Sequence, residues 1–180
     1  RLEAADRDLR AELETMLLAR LRKLDPAAFE QVIIDLLVRI GYGGPRRDAA
    51  ERLGRSGDGG IDGVIREDVL GLDAVYIQAK RYAEDNTVGA PVIQGFAGAL
   101  LEHGASKGVF VTTSRFTLAA RKARAAFRVH RIVLLDESAQ IIAGTVCRWA
   151  GVPVDDDEVP ALARDLVSMV DGFATGGPRH

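Results

Sequence analysis

From residue 74 to residue 136 the chain alternates strand-like and helix-like runs, and that alternation restricts what it can fold into. Apolar, β-branched stretches at 74–80, 108–113 and 131–136 are separated by helix-like runs at 89–103 and 116–127. A strand that reaches the next strand through a helix returns parallel to it, by a right-handed crossover. The run at 61–66 is joined to 74–80 only by the turn-rich stretch 67–73, so these two form an antiparallel hairpin. The expectation is an α/β fold with a mixed central sheet flanked by helices.

The flanks add to this frame. Asp25-Pro26 supplies an N-cap and a first-turn proline, and Phe29, Val32, Ile33, Leu36, Leu37 and Ile40 then recur at helical spacing up to Gly41. Residues 43–60 read as a loop with at most one short strand near 50–54. A further helix is expected at 137–150, and the acidic run Asp155 to Glu158 opens another short one. The expected organisation is a leading helix or linker at 1–25, a catalytic domain at 26–152 and a C-terminal extension at 153–180. The chain opens on Arg1 rather than Met, as a fragment or processed form would.

Composition excludes several classes. A net charge of -2 and a pI near 6.0 argue against a protein that simply coats DNA. No apolar run approaches the roughly 20 residues that span a bilayer, and no signal peptide opens the chain, so a cytoplasmic, membrane-free setting is expected. The single cysteine, Cys147, rules out a disulfide framework and is expected to be a buried thiol.

The strand Val-Tyr-Ile-Gln-Ala-Lys at 75–80 is unusual in carrying an amide and an ammonium two residues apart. Alternation puts Val75, Ile77 and Ala79 on one face, which suits the core, and Tyr76, Gln78 and Lys80 on the other. If the hairpin turns near Leu70, positions summing to about 140 face each other, and Asp62 lies opposite Gln78. A register slip of one residue would destroy the patch. A carboxylate and an amide oxygen suit a hard divalent cation, Mg2+ or Mn2+, and Lys80 beside them suits charge developing on a phosphate.

"FEQVIIDLLVRIGY", "GRSGDGGIDGVI", "LGLDAVYIQAKRY" and "KGVFVTTSRF", in that order, resemble the catalytic domain of Mrr-type restriction endonucleases, within the PD-(D/E)xK nuclease superfamily. The resemblance runs from about Pro26 to Val152 and implies a restriction-endonuclease-like αβββαβ core. It implies that Asp62, Gln78 and Lys80 form the metal and phosphate site, with Glu30 of the first core helix completing it. Gln78 stands where most of the superfamily carries Asp or Glu, although the Mrr branch carries this Gln. It also implies an upstream winged-helix-like recognition module and modified DNA as a frequent target. The resulting expectation is a metal-dependent DNA endonuclease of a restriction or defence system, with a homodimer a reasonable arrangement for cutting both strands. The rival readings are a non-catalytic DNA-binding or assembly module that keeps the fold, and a structure-selective resolvase or repair nuclease.

Each candidate has an ordinary alternative. Asp62 and Asp58 suit a turn, Lys80 a solvated strand end, and Glu30 an exposed helix position. Gln94, Ser114, Arg115, Arg121 and Lys122 are the candidate DNA contacts, the last three within a basic cluster that includes Arg124, Arg128 and Arg131. That cluster suits a solvated helix face equally well. Hydroxyls at Thr112, Thr113 and Ser114 suit a phosphate or, by preference, the cap of a helix opening at Phe116. His103, His130 and His180 lack the spacing of metal ligands.

Overall fold

The computed structural model describes residues 15, 18–39, 41–44, 49–53, 59–127 and 130–136. Its elements, in chain order, are α1 (Pro26–Arg39), β1 (Ala50–Arg52), β2 (Gly63–Arg66), β3 (Ala74–Lys80), α2 (Ala90–Glu102), β4 (Lys107–Thr112), α3 (Leu118–Ala126) and β5 (Arg131–Leu135). The strands form one sheet in the order β1-β2-β3-β4-β5. β1, β2 and β3 pair antiparallel, while β3, β4 and β5 pair parallel. The expected mixed sheet is therefore present. The helix expected at 137–150, the extension at 153–180, Cys147, Asp58, Arg128 and His180 lie outside the described residues.

Helix α1 is held at both ends by the signals its sequence carries. The Asp25 carboxylate accepts from the Ala28 amide at 2.9 Å, capping the first turn. At the other end Gly41, with φ of 107°, lets Tyr42 N–H reach back to the Leu37 carbonyl at 3.1 Å. That αL glycine ends the helix without the strain a side chain would bring.

The sheet is covered on both faces. Phe29, Val32, Ile33, Leu36 and Leu37 of α1 pack with Val75, Ile77 and Ala79 of β3 in one core. The second core, on the opposite face, joins Ile93, Phe96 and Leu100 of α2 to Phe110, Phe116 and Ile132. Phe96, Phe110 and Phe116 meet edge to face at 5.5 and 5.7 Å, fastening α2 to β4. Tyr76 also packs here, edge-on to His103 at 5.5 Å, which accounts for that histidine at the end of α2.

The hydroxyls after β4 do something other than what the sequence reading favoured. Thr117 caps α3, its hydroxyl accepting from Ala120 N–H at 3.1 Å, while Phe116 is a buried core residue ahead of it. Thr112 donates to the Lys80 carbonyl at 2.9 Å, and Thr113 bonds both the amide and the carbonyl of Tyr82 at 2.9 and 2.7 Å. They extend the β3–β4 pairing past its last ladder residue. Capping by these residues is excluded by geometry, since the helix begins farther along the chain than the spacing implied.

Candidate active site

The site is assembled at the end of the hairpin away from its turn. Gly63↔Ile77, Val64↔Tyr76, Ile65↔Val75 and Arg66↔Ala74 are partners, so paired positions sum to 140 throughout. The ladder ends at Gly63↔Ile77, short of the expected Asp62–Gln78 pair; Asp62 N–H donates to the Ile77 carbonyl at 2.8 Å, one residue off that register. The β2 ladder stops at Gly63, and the Asp62 carboxylate then accepts from Ala79 N–H at 2.7 Å. A side chain thus takes the donor that the main chain leaves behind, which locks the carboxylate in place.

Asp62 is 7% exposed and Gln78 6%. Burial is the largest influence on Asp62 and, against the pull of the Ala79 N–H, pushes its pKa from 3.8 up to about 6. Glu30 adds to the rise by repulsion, while Lys80 and Arg52 oppose it. Beside it, Gln78 Oε1 is buried with no hydrogen-bond partner among the described residues. A buried amide oxygen left so costs roughly 1–3 kcal/mol, so its persistence calls for a function.

Gly60 explains how the amide is held. Its φ is +85°, and a Cβ there would lie 2.4 Å from Gln78 Nε2. Only glycine lets the loop pass this close to the amide while adopting that backbone.

These residues fit a hard divalent cation. Among the described residues no three His, Cys, Asp or Glu side chains gather into a ready cage. What is offered instead is one buried carboxylate, one buried amide oxygen in want of a partner, and Glu30 nearby. Such a sparse oxygen set matches an ion that keeps most of its waters. Glu30, on α1, is at present engaged by Arg52 of β1, Nη2 to Oε2 at 3.3 Å.

The candidate DNA contacts divide. Gln94 is exposed in the first turns of α2, and Arg115, Arg121 and Lys122 are exposed around the start of α3. Arg121 pairs with Asp136 at 2.5 Å and lies over the Phe116 ring at 5.7 Å, while Arg124 donates to the Ile132 carbonyl at 2.7 Å. Both therefore have roles within the fold. Ser114 is 0% exposed, and its hydroxyl donates to the Glu84 carbonyl at 3.4 Å, so it presents nothing to a phosphate. Burial overturns that candidate.

Arg52 and Arg22 were not apparent as site-related residues from sequence. Arg22 grips the Thr113 carbonyl through Nε and Nη2 at 3.1 and 3.0 Å, and its own carbonyl accepts from Arg81 Nη1 at 3.0 Å. The segment before α1 thus braces the strand end that carries Lys80. No local pattern announces such long-range contacts.

Comparisons with known proteins identify relatives of the chain. Residues 21–141 match the Mrr_cat family model, described as restriction endonuclease. Over 121 residues, or 67% of this chain, it is 50% identical to the type IV methyl-directed restriction enzyme EcoKMrr of Escherichia coli (strain K12). The match covers 39% of that enzyme, so the chain spans about two fifths of its relative's length. Among solved structures, it is similar to the DNA modification-dependent restriction endonuclease AspBHI, with a TM-score of 0.56 and 24% identity over 92% of this chain and 41% of that one. It also resembles the MspJI restriction endonuclease in complex with a 27-mer oligonucleotide, with a TM-score of 0.53 and 25% identity over 94% and 37% of the two chains.

Proposed function

The chain belongs to the Mrr_cat restriction endonuclease family, and from that premise we propose that it hydrolyses DNA phosphodiesters at the Asp62, Gln78 and Lys80 patch with a divalent ion, Mg2+ or Mn2+. The observation that supports the reading is the burial of two oxygen-bearing groups at the end of the hairpin away from its turn, the Asp62 carboxylate and the unpartnered Gln78 Oε1. Two such atoms in a desolvated corner are stabilised by a cation placed between them. Asp62 and Gln78 would hold the ion, with Glu30 as the further carboxylate.

When bound, the ion supplies positive charge to the phosphate oxygens and makes water more acidic. Asp62, fixed by the Ala79 N–H, gives a rigid anionic anchor. Lys80, on the Gln78 face and only half buried, can reach solvent and a phosphate from the same position. Its ammonium stabilises charge on the phosphate oxygens and orients the attacking water. Its backbone is held by the Thr112 hydroxyl, which limits how far it drifts from the patch.

Modified DNA is the substrate class that the methyl-directed relative points to, and two copies of the site, as in a homodimer, would serve the two strands. Exposed Gln94, Arg115 and Lys122 are the remaining candidates for holding the duplex. Target choice would then reside in a further recognition domain of the full-length protein, beyond these 180 residues. Among the described residues no helix is long and apolar enough to cross a membrane.

The test is incubation of the chain with methylated and unmethylated plasmid and with junction DNA, in Mg2+ or Mn2+, beside Asp62→Ala and Lys80→Ala. Cleavage that both variants and EDTA abolish supports the proposal. Binding without any cleavage favours the non-catalytic module, and preference for junctions favours the resolvase.

A further inference from the structure

The Arg52–Glu30 pair sits where the metal reading needs Glu30 free. Arg52 lies on β1, the edge strand of the sheet, and its side chain is 41% exposed against 19% for Glu30. Its guanidinium is 3.3 Å from the Glu30 carboxylate, and its charge is felt at Asp62 with the sign opposite to that of Glu30. Arg52 therefore acts as a cation for both carboxylates, paired with Glu30 and felt at Asp62, while Gln78 Oε1 has no hydrogen-bond partner among the described residues. Glu30 and Asp62 come from different layers of the fold, so nothing in the local chain forces them together.

We propose that Arg52 governs metal loading: it occupies Glu30 as an internal cation, and Glu30 becomes a ligand only when a divalent ion takes it from Arg52. The inference rests on the metal reading above. Arg52 is a positioning residue that acts through Glu30. Because the pair is partly solvated, breaking it costs little, which suits a site whose metal arrives and leaves.

The experiment is Mn2+ binding to the full 180-residue chain without DNA, followed by the loss of the free-ion electron paramagnetic resonance signal. The proteins are the parent, Arg52→Gln, Arg52→Lys, Glu30→Gln and the double variant Arg52→Gln with Glu30→Gln, each checked by circular dichroism, with Asp62→Ala marking the site. Freed from Arg52, Glu30 should bind the ion directly, so Arg52→Gln should tighten Mn2+ binding about fivefold, the worth of a partly exposed ion pair. Arg52→Lys keeps the charge and should stay within about twofold of the parent. In the Glu30→Gln background the same Arg52→Gln change should alter affinity by less than about twofold at about 0.15 M salt, where longer-range repulsion is screened.

Unchanged or weaker binding by Arg52→Gln overturns the inference. So does an equal gain in both Glu30 backgrounds, which would mean that Arg52 acts only as a general positive field, or an equal gain by Arg52→Lys. If none of the proteins with Asp62 intact binds Mn2+, the metal reading itself fails, and this inference falls with it.

Discussion

The two ends of the β2–β3 hairpin are built from the same residue types and treat them in opposite ways. At the turn, the Asp68 carboxylate accepts from Leu70 N–H at 2.7 Å and Asp73 N–H at 2.5 Å, which lowers its pKa. Lys107 at the start of β4 bridges Glu67 and Asp73 at 2.6 and 2.5 Å, and these partners raise its pKa. Each of these charged groups has a hydrogen-bond or ion-pair partner at hand. At the other end, Asp62 is desolvated and pushed up to about 6, and Gln78 Oε1 has no partner among the described residues. Mutual satisfaction marks the end that holds the hairpin in register, and burial without a full set of partners marks the end that carries the candidate site.

The sharpest way to break this contrast is to remove the desolvated carboxylate. Asp62→Ala and Asp62→Asn should lower plasmid cleavage by at least about 10³-fold, and Lys80→Ala by about 10²–10³-fold, read as nicking rates in Mg2+. Without metal, Asp62→Asn should instead stabilise the chain, by roughly 1–2 kcal/mol in urea unfolding at pH 8, because the charge no longer has to be buried. The pH dependence follows from the sign. Asp62 has a native pKa of about 6 against an ordinary 3.8, so the folded chain keeps a proton that the unfolded chain has released. Its contribution to stability is therefore present below about pH 4 and lost as pH rises through about 6. The gap between parent and Asp62→Asn should widen over that interval and then level off.

Gln78→Glu sharpens the contrast by adding a second charge to the unsatisfied end. It should tighten Mn2+ binding about tenfold and cost about 1–3 kcal/mol of metal-free stability, measured by titration and by urea unfolding. At the satisfied end, Lys107→Met should cost only about 0.5–1 kcal/mol, since its pairs are partly solvated, and leave cleavage of plasmid unchanged. The smallest effect belongs to Lys122→Gln, which should reduce the salt slope of DNA binding by about one if that exposed lysine meets a phosphate. A cleavage defect in Lys107→Met comparable to that of Lys80→Ala would erase the distinction between the ends.

Local chemistry made much of this legible in the sequence. The Asp25 cap, the Gly41 stop and the apolar spacing of α1 act within a few residues, and so do the alternation of β3 and the turn-forming stretch after Arg66. Hairpin register follows from alternation and turn length, which is why the pairing of 63–66 with 74–77, positions summing to 140, is legible in the sequence. The exchange of the capping role from the residues after β4 to Thr117 was a matter of one turn, within reach of local signals but not decided by them.

Other features depended on segments distant in sequence. Ser114 is buried because the stretch after β3 crosses it, and Arg52 meets Glu30 because an edge strand of three residues comes up beside α1. Arg22 reaches Thr113, 91 residues along, with no periodicity to announce it. From its sequence alone this protein determines its elements and its hairpin register, because these follow from steric and hydrophobic rules acting along the chain. Only the tertiary structure decides which polar atoms are buried without partners and which cation reaches Glu30, because desolvation and ion pairing depend on everything packed around an atom.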